Sequence, residues 1–135
     1  MLELKDFEEA KKRVDEVIIP TPLIYSPAFS KECRNMVYIK PENLQRTGAF
    51  KIRGAYNKIM KMDDESKSRG LIASSAGNHA QGVAYAAQQL GVKATIVMPA
   101  HTPLIKVDAT KALGAEVVLH GEVYDDAYNK AVELQ

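Results

Sequence analysis

The amino-acid sequence predicts an α/β fold: a parallel three-layer βαβαβα unit, preceded by an N-terminal segment that belongs to a second domain. The main observation comes from residues 71–135, where short apolar runs alternate three times with longer amphipathic stretches. The short runs suit strands, and apolar residues at helical spacing suit helices. Regular alternation of strand and helix favours a parallel sheet with right-handed crossovers. The second observation is that residues 1–48 do not follow this rhythm.

Three short strands are predicted: LIASS at 71–75, ATIVM at 94–98 and EVVL at 116–119. ATIVM shows little alternation between apolar and polar residues, which is typical of a strand covered on both faces. The helices expected after them are 78–90, closed by Gly91; a helix that Thr102 caps and Pro103 begins, running to about Leu113; and a last helix from about Tyr124. Threonine caps, an N-terminal proline and a closing glycine support these boundaries.

A further helix is predicted before the first of these strands. Thr47 is its expected cap, and its apolar face consists of Ile52, Ala55, Tyr56, Ile59 and Met60. That spacing is typical of an amphipathic helix. Residues 61–70, KMDDESKSRG, are rich in charge and are predicted to form a solvated linker.

Residues 1–48 combine three dissimilar parts. A helix is predicted at 6–17 with Asp6 as its cap, an extended proline-rich path at 18–30, and one strand at 36–40. A single strand cannot bury its faces alone. We therefore expect residues 1–48 to belong to a larger, mostly absent domain, and residues 49–135 to form a small α/β domain.

Composition and charge argue against several classes of function. Lysine and arginine exceed aspartate and glutamate by only 18 − 17 = +1, so no basic excess suggests a nucleic-acid partner. No apolar run reaches the length of a membrane span, and no membrane partner is expected. The single cysteine, Cys33, fits a reducing compartment and a cytoplasmic protein. The three histidines lack metal-ligand spacing, so no metal site is expected.

Two segments carry candidate chemistry. In the first, SSAGNHAQG at 74–82, small residues lie between a predicted strand and helix, where ligands gather in open α/β sheets. Helix N-terminal amides favour an anion such as a carboxylate, and Asn78 adds a polar side chain. The sequence leaves two interpretations open here, a small-anion site and an ordinary strand-to-helix turn.

The second segment, RTGAFKIRGAY at 46–56, places Lys51 in the first turn of a helix. The helix dipole disfavours an ammonium there and helps to keep the amine neutral. A neutral amine is what a carbonyl cofactor needs for covalent attachment. The alternative, a solvated surface lysine, also stays open, and Arg53 is expected to be a surface or interdomain partner.

Together, KPENLQRTGAFKIRGAYNKI at 40–59 and SSAGNHAQGVAYAA at 74–87 resemble the threonine dehydratases, which belong to the tryptophan-synthase-β-like (fold type II) pyridoxal-phosphate enzymes. The similarity extends through 97–121, and two long motifs in order are far more specific than one. The resemblance implies pyridoxal 5′-phosphate as cofactor and an amino-acid substrate. It implies conversion of L-threonine to 2-oxobutanoate and ammonia, and of L-serine to pyruvate, by a homo-oligomeric enzyme.

The resemblance also implies a role for each matching residue. Lys51 matches the lysine that bonds covalently to the cofactor and later moves the substrate Cα proton. Phe50 matches the aromatic residue beside the cofactor, and Asn78 matches the asparagine that hydrogen-bonds the pyridoxal 3-oxygen. The loop that holds the substrate carboxylate is matched by Ser75, Ala76, Gly77, Asn78 and His79.

Two positions discriminate among related activities. Many relatives have serine where this chain has Ala49, so a hydroxyl role there is lost or taken elsewhere. In the related serine racemases, a serine at the position of Ala76 acts as a base, and alanine cannot exchange a proton. Elimination is therefore favoured over racemisation. The alternatives are a serine dehydratase or serine racemase of the same family, and a non-catalytic α/β module that binds a small carboxylate.

The resemblance also bears on what the chain can do alone. In the family, a glycine-rich loop further along the chain cradles the cofactor phosphate, and no such loop occurs within residues 1–135. We therefore expect this chain to be the N-terminal part of a parent enzyme and to have no useful dehydratase activity by itself. The sequence leaves open whether the parent serves isoleucine synthesis or threonine breakdown.

Overall fold

The structure, a computed structural model, describes residues 1–135 and contains five strands and seven α-helices. The strands are β1 (Ile24–Tyr25), β2 (Tyr38–Ile39), β3 (Leu71–Ser74), β4 (Ala94–Met98) and β5 (Glu116–Leu119). The helices are α1 (Leu4–Val14), α2 (Pro27–Cys33), α3 (Lys51–Met60), α4 (Asp64–Arg69), α5 (Asn78–Gln89), α6 (Leu104–Ala112) and α7 (Tyr124–Leu134), with a 3-10 turn at Glu42–Leu44. None of the seven helices combines the length and apolar character needed to cross a membrane.

The predicted parallel sheet is confirmed. Strands β3, β4 and β5 are hydrogen-bonded in that order, and both pairings are parallel. On one face Ile96 packs in the core with α5 and α6, and on the other Val97 packs against Ala127 and Ala131 of α7. Both β4 residues are fully buried, which explains why this strand shows no alternation. The three-layer arrangement follows.

Helix α3 lies outside this unit and packs on α5, and α1 packs in turn on α3. Ile52, Tyr56 and Ile59 of α3 share the larger apolar core with Val14 and Ile18 of the N-terminal segment. The N-terminal segment is therefore joined to the core through helix packing. The division into domains at residue 48 stays a prediction.

Within residues 1–48, two predictions are corrected. The strand predicted at 36–40 is shorter and is not alone, because β2 pairs antiparallel with β1, with Ile24 opposite Ile39. The proline-rich path is not extended throughout, because Pro27 begins α2. Proline suits the first helical position, and the Ser26 hydroxyl accepts a hydrogen bond of 3.5 Å from the Phe29 amide.

The side chains of Asp6, Thr47 and Thr102 do not cap the helices for which they were predicted. Helix α1 begins at Leu4, and Asp6 lies inside it, where its carboxylate accepts from the Glu3 amide at 2.8 Å. Thr47 does not cap α3, whose N-cap residue is Phe50. The Thr102 hydroxyl donates to the Pro99 carbonyl at 2.7 Å instead of capping α6.

The predicted linker at 61–70 contains a short helix, α4. The Asp63 carboxylate caps it by accepting from the Ser66 amide at 2.7 Å. Arg69 and Glu65 form an ion pair one turn apart, also at 2.7 Å. A cap and a pair at helical spacing stabilise a helix in a segment that lacks an apolar stripe.

The outer edge of β3 carries no further strand. Beside it lies a groove of about 940 Å³, bounded by β3, by the inner side of α3 and α4, and by the end of α7. His79, in the first turn of α5, also lines this groove.

Candidate active site

Lys51 is the first residue of α3, and its side chain is exposed. Its Nζ atom lies 4.8 Å from the centre of the Phe50 ring, close enough for a cation–π contact. Phe50 is itself 57% exposed. An amine and an aromatic face are thus presented to solvent side by side at the start of one helix.

The turn at 75–79 lies where β3 ends and α5 begins. The Ser75 hydroxyl accepts hydrogen bonds from the Gly77 amide at 3.4 Å and the Ala80 amide at 3.2 Å. The amides of Asn78 and His79 donate to no other group of the chain. Two free amides at a helix N-terminus suit an anion such as a carboxylate.

Helix α5 brings this turn next to Lys51. A Cβ atom placed on Gly82 would lie 3.0 Å from the Lys51 carbonyl carbon and 3.1 Å from both the Ile52 nitrogen and the Lys51 Cβ. Gly82 lies one helical turn after Asn78, so the first turn of α3 meets the first turns of α5 almost backbone to backbone. The structure therefore places Lys51 beside the helix that begins with the 75–79 turn.

Gly82 was not among the residues predicted from the sequence. The available signal was an isolated glycine inside an otherwise alanine-rich helical pattern, which often marks a close approach. The pattern does not tell which element approaches. That requires knowing which helix packs on α5.

Two buried hydroxyls lie in the same segments and have no hydrogen-bond partner: those of Thr47, shortly before Lys51, and Ser74, directly before the turn. Buried polar atoms are nearly always hydrogen-bonded, and orphan groups call for an explanation. The free amides and the exposed amine fit the binding of a carboxylate beside an aldehyde.

A network of charged and polar groups fixes the chain just before Lys51. Arg53 donates to Glu42 through Nε and a terminal nitrogen, both at 2.8 Å, and the Thr21 hydroxyl donates to the same carboxylate at 2.5 Å. These hydrogen bonds, that from Arg53 foremost, lower the pKa of Glu42 to about 2 although burial opposes them. Arg53 thus has a structural partner, as its sequence context suggested.

Gln45 holds the same segment to the proline-rich path. Its side-chain amide accepts from the Ile19 nitrogen at 2.7 Å and donates to the Ile19 carbonyl at 2.8 Å. Arg46 donates to the Val17 carbonyl at 2.9 Å. The loop before Lys51 is therefore held in place by hydrogen bonds to the N-terminal segment as well as by its connection to α3.

The large groove along β3 is not the site of Lys51. Neither Lys51 nor Phe50 lines it, although His79 does. The site residues predicted from the sequence therefore lie in two different places. Phe50 lies against Lys51, and the Lys51 backbone packs on α5 at Gly82, whereas His79 lines the groove at the edge of the sheet.

This arrangement defines a parallel α/β protein with an accessible lysine set against the amino end of a second helix. A family model described as pyridoxal-phosphate dependent enzyme matches residues 14–135. The chain therefore belongs to the pyridoxal-phosphate dependent enzyme family, and the predicted family and cofactor are confirmed at that level.

Individual relatives agree with this assignment. The chain is 50% identical over 135 residues to the L-threonine ammonia-lyase of Thermotoga maritima, an alignment that covers 100% of this chain but 34% of the relative. Among solved structures, the processed form of threonine deaminase isoform 2 from Solanum lycopersicum has a TM-score of 0.85 and 42% identity, over 98% of this chain and 38% of its own. Maize serine racemase has a TM-score of 0.90 and 33% identity, over 98% of this chain and 40% of its own.

These relationships confirm the predicted fold class, because the structural neighbours align over nearly the entire chain. The chain spans about a third of the length of the Thermotoga maritima relative, which is 34% covered. Roles of individual residues at the site stay predictions.

Proposed function

We propose that this chain supplies the lysine and the carboxylate-binding turn of an L-threonine ammonia-lyase, which converts L-threonine to 2-oxobutanoate and ammonia. The observation that carries the proposal is the contact between Gly82 and the Lys51 backbone, which sets the exposed amine against the α5 helix. The 50% identity to an L-threonine ammonia-lyase over the whole chain supports the choice of substrate.

Each residue has a distinct task in this proposal. Pyridoxal phosphate, when bound, supplies an aldehyde for covalent attachment and a ring that accepts electrons. The Lys51 amine would hold the cofactor through that aldehyde and, as a free amine, would take the proton from the substrate Cα. Phe50 would pack beside the cofactor. Asn78 would hold the 3-oxygen of the cofactor, and the free amides at the start of α5 would hold the substrate carboxylate.

The complete enzyme extends beyond residues 1–135 in this proposal, and we propose that the chain alone has no useful turnover. The support is that the chain aligns with only 34% of its Thermotoga maritima relative. We further propose that the complete enzyme is a cytoplasmic homo-oligomer. Light scattering of the purified complete enzyme tests the assembly, and a monomeric mass contradicts it.

The sharpest test uses a chimera in which this chain replaces the aligned first third of the Thermotoga maritima relative. We expect the chimera to form 2-oxobutanoate from L-threonine and to show the visible absorbance of a lysine-bound cofactor. Lys51→Ala should abolish both, with a loss of turnover beyond the ~10²–10⁴-fold typical of a missing general base. Lys61→Ala, an exposed lysine at the other end of α3, is the matched control and should change neither.

A chemical test in the chain itself separates this proposal from a non-catalytic carboxylate-binding module. Pyridoxal phosphate followed by borohydride fixes the cofactor on whichever lysine it occupies, and peptide mass spectrometry locates it. Selective labelling of Lys51 over Lys61 is the expected result. Equal labelling of surface lysines favours the binding module and contradicts the proposal.

The similarity to maize serine racemase makes racemisation the second candidate activity. Ala76 carries only a methyl group in the turn, which cannot take up or deliver a proton. We therefore expect the chimera to form pyruvate but no D-serine from L-serine, as measured by chiral chromatography. Appearance of D-serine at a rate comparable to pyruvate contradicts this choice.

A further inference from the structure

Gly82 occupies an unusual place for a glycine. It lies in the interior of α5 and is buried, in a helix whose four alanines favour helical structure more than glycine does. Its backbone is helical, so the freedom of glycine to adopt positive φ angles does not explain it. A close approach by another part of the chain does.

The approaching part is the backbone that carries Lys51. All three nearest neighbours of an added Cβ are Lys51 or Ile52 atoms, at 3.0–3.1 Å, and two of the three are backbone atoms. Backbone cannot swing aside as the end of a long side chain can. An added methyl group therefore pushes the first turn of α3 away from α5 by a few tenths of an ångström.

Of the glycines in α3 and α5, Gly82 alone is approached this closely. Gly54, one turn further along α3, has nothing within 4 Å of where a Cβ atom would lie, so a methyl group fits there freely. Ile52, next to Lys51, is fully buried and holds the first turn of α3 in the core. The spacing between Lys51 and the start of α5 is thus set at Gly82.

We propose that Gly82 is a positioning residue for Lys51: the absence of a side chain at Gly82 sets how close the amine-bearing turn of α3 lies to the 75–79 turn. This inference rests on the proposed function, in which Lys51 bonds to the cofactor while the turn holds the substrate. Catalytic groups misplaced by about 1 Å lose on the order of a hundredfold in rate. A displacement of a few tenths of an ångström should cost about three- to tenfold.

The test compares Gly82→Ala with Ala86→Gly. Ala86 lies one turn further along α5, is fully buried, and its change to glycine weakens the same helix without adding an atom beside Lys51. In the chain itself, Gly82→Ala should lower borohydride-fixed labelling of Lys51 relative to Lys61 by about three- to tenfold, and Ala86→Gly should leave the ratio within about twofold. In the chimera, Gly82→Ala should also shift the pH at which the visible absorbance titrates and lower kcat more than it changes KM.

Every other result overturns the inference. Wild-type labelling and pH profile in Gly82→Ala would show that the spacing does not matter, and equal losses in both variants would show that only helix stability matters. A Gly82→Ala chain that fails to fold while Ala86→Gly folds, as judged by circular dichroism, would assign the contact to folding alone. Unselective labelling in the wild-type chain marks the separate failure of the proposed function.

Discussion

Arg53 and Glu42 form a bidentate ion pair with both hydrogen bonds at 2.8 Å, and Lys51 lies between the two residues in the sequence. Their side chains are only 29% and 16% exposed, so water screens the pair less than a surface ion pair. Such bidentate geometry is among the stronger arrangements of charged groups. The pair joins the first turn of α3 to the 3-10 turn at Glu42–Leu44 and restrains the intervening chain.

Glu42→Gln should therefore destabilise the chain by about 1.5–3 kcal/mol, the range for hydrogen bonds to charged groups. The glutamine keeps the shape and some hydrogen bonding but loses the charge. Urea denaturation at pH 7 measures the change. Glu65→Gln, which breaks an exposed pair on α4, is the control and should cost less than about 1 kcal/mol.

The same pair predicts a pH dependence. Because the pKa of Glu42 falls from its ordinary 4.5 to about 2 in the folded chain, the unfolded state takes up a proton first as the pH falls. The stabilisation is thus complete above about pH 4.5 and is lost as the pH falls towards 2. Urea midpoints between about pH 6 and pH 3 should decline more steeply for the wild type than for Glu42→Gln, and parallel declines would contradict the assignment.

Gln45 offers a second test of how the loop before Lys51 is held. Its side chain is 4% exposed and bonds both backbone groups of Ile19. Gln45→Ala leaves those groups without partners, and we expect a loss of about 1–3 kcal/mol in the free energy of unfolding. Gln89→Ala, at an exposed position on α5, should stay within about 0.5 kcal/mol. Equal effects of the two changes would show that Gln45 does not hold the loop.

Features that depend on neighbouring residues could be predicted from the sequence, whereas features that depend on contacts between distant residues could not. The bounds of β4 and β5 were predicted correctly, because a short apolar run between turn residues is a local signal for a strand. The cap at Thr102 was wrong because its hydroxyl donates to the Pro99 carbonyl instead, and the cap at Thr47 was wrong because its hydroxyl is buried without a hydrogen-bond partner. The role of Gly82 was missed, because it depends on a helix far away in the sequence.

The orphan hydroxyl of Thr47 leads to a fourth prediction. Since it makes no hydrogen bond, Thr47→Val should leave the stability of the chain unchanged or raise it by up to about 1 kcal/mol. Thr110 is the matched control: it is 1% exposed, and its hydroxyl donates to the Lys106 carbonyl at 2.8 Å. Thr110→Val should lose about 0.5–1.5 kcal/mol. Thermal denaturation of both variants compares them, and a Thr47→Val loss as large as that of Thr110→Val contradicts the assignment.

The last prediction compares two adjacent serines, Ser74 and Ser75, whose hydroxyls differ in hydrogen bonding. The Ser75 hydroxyl accepts from two amides at the start of α5, whereas the Ser74 hydroxyl has no partner. Ser75→Ala removes the acceptor for those amides and should cost about 0.5–2 kcal/mol, the usual range for a lost cap. Ser74→Ala should be nearly neutral in the chain alone. If Ser74 instead serves a bound group, its change should lower Lys51 labelling by pyridoxal phosphate while leaving the urea midpoint in place. Both variants are therefore compared by their urea midpoint and by the labelling of Lys51. A lower midpoint identifies a serine that stabilises the turn, and lower labelling at an unchanged midpoint identifies a serine that binds a ligand.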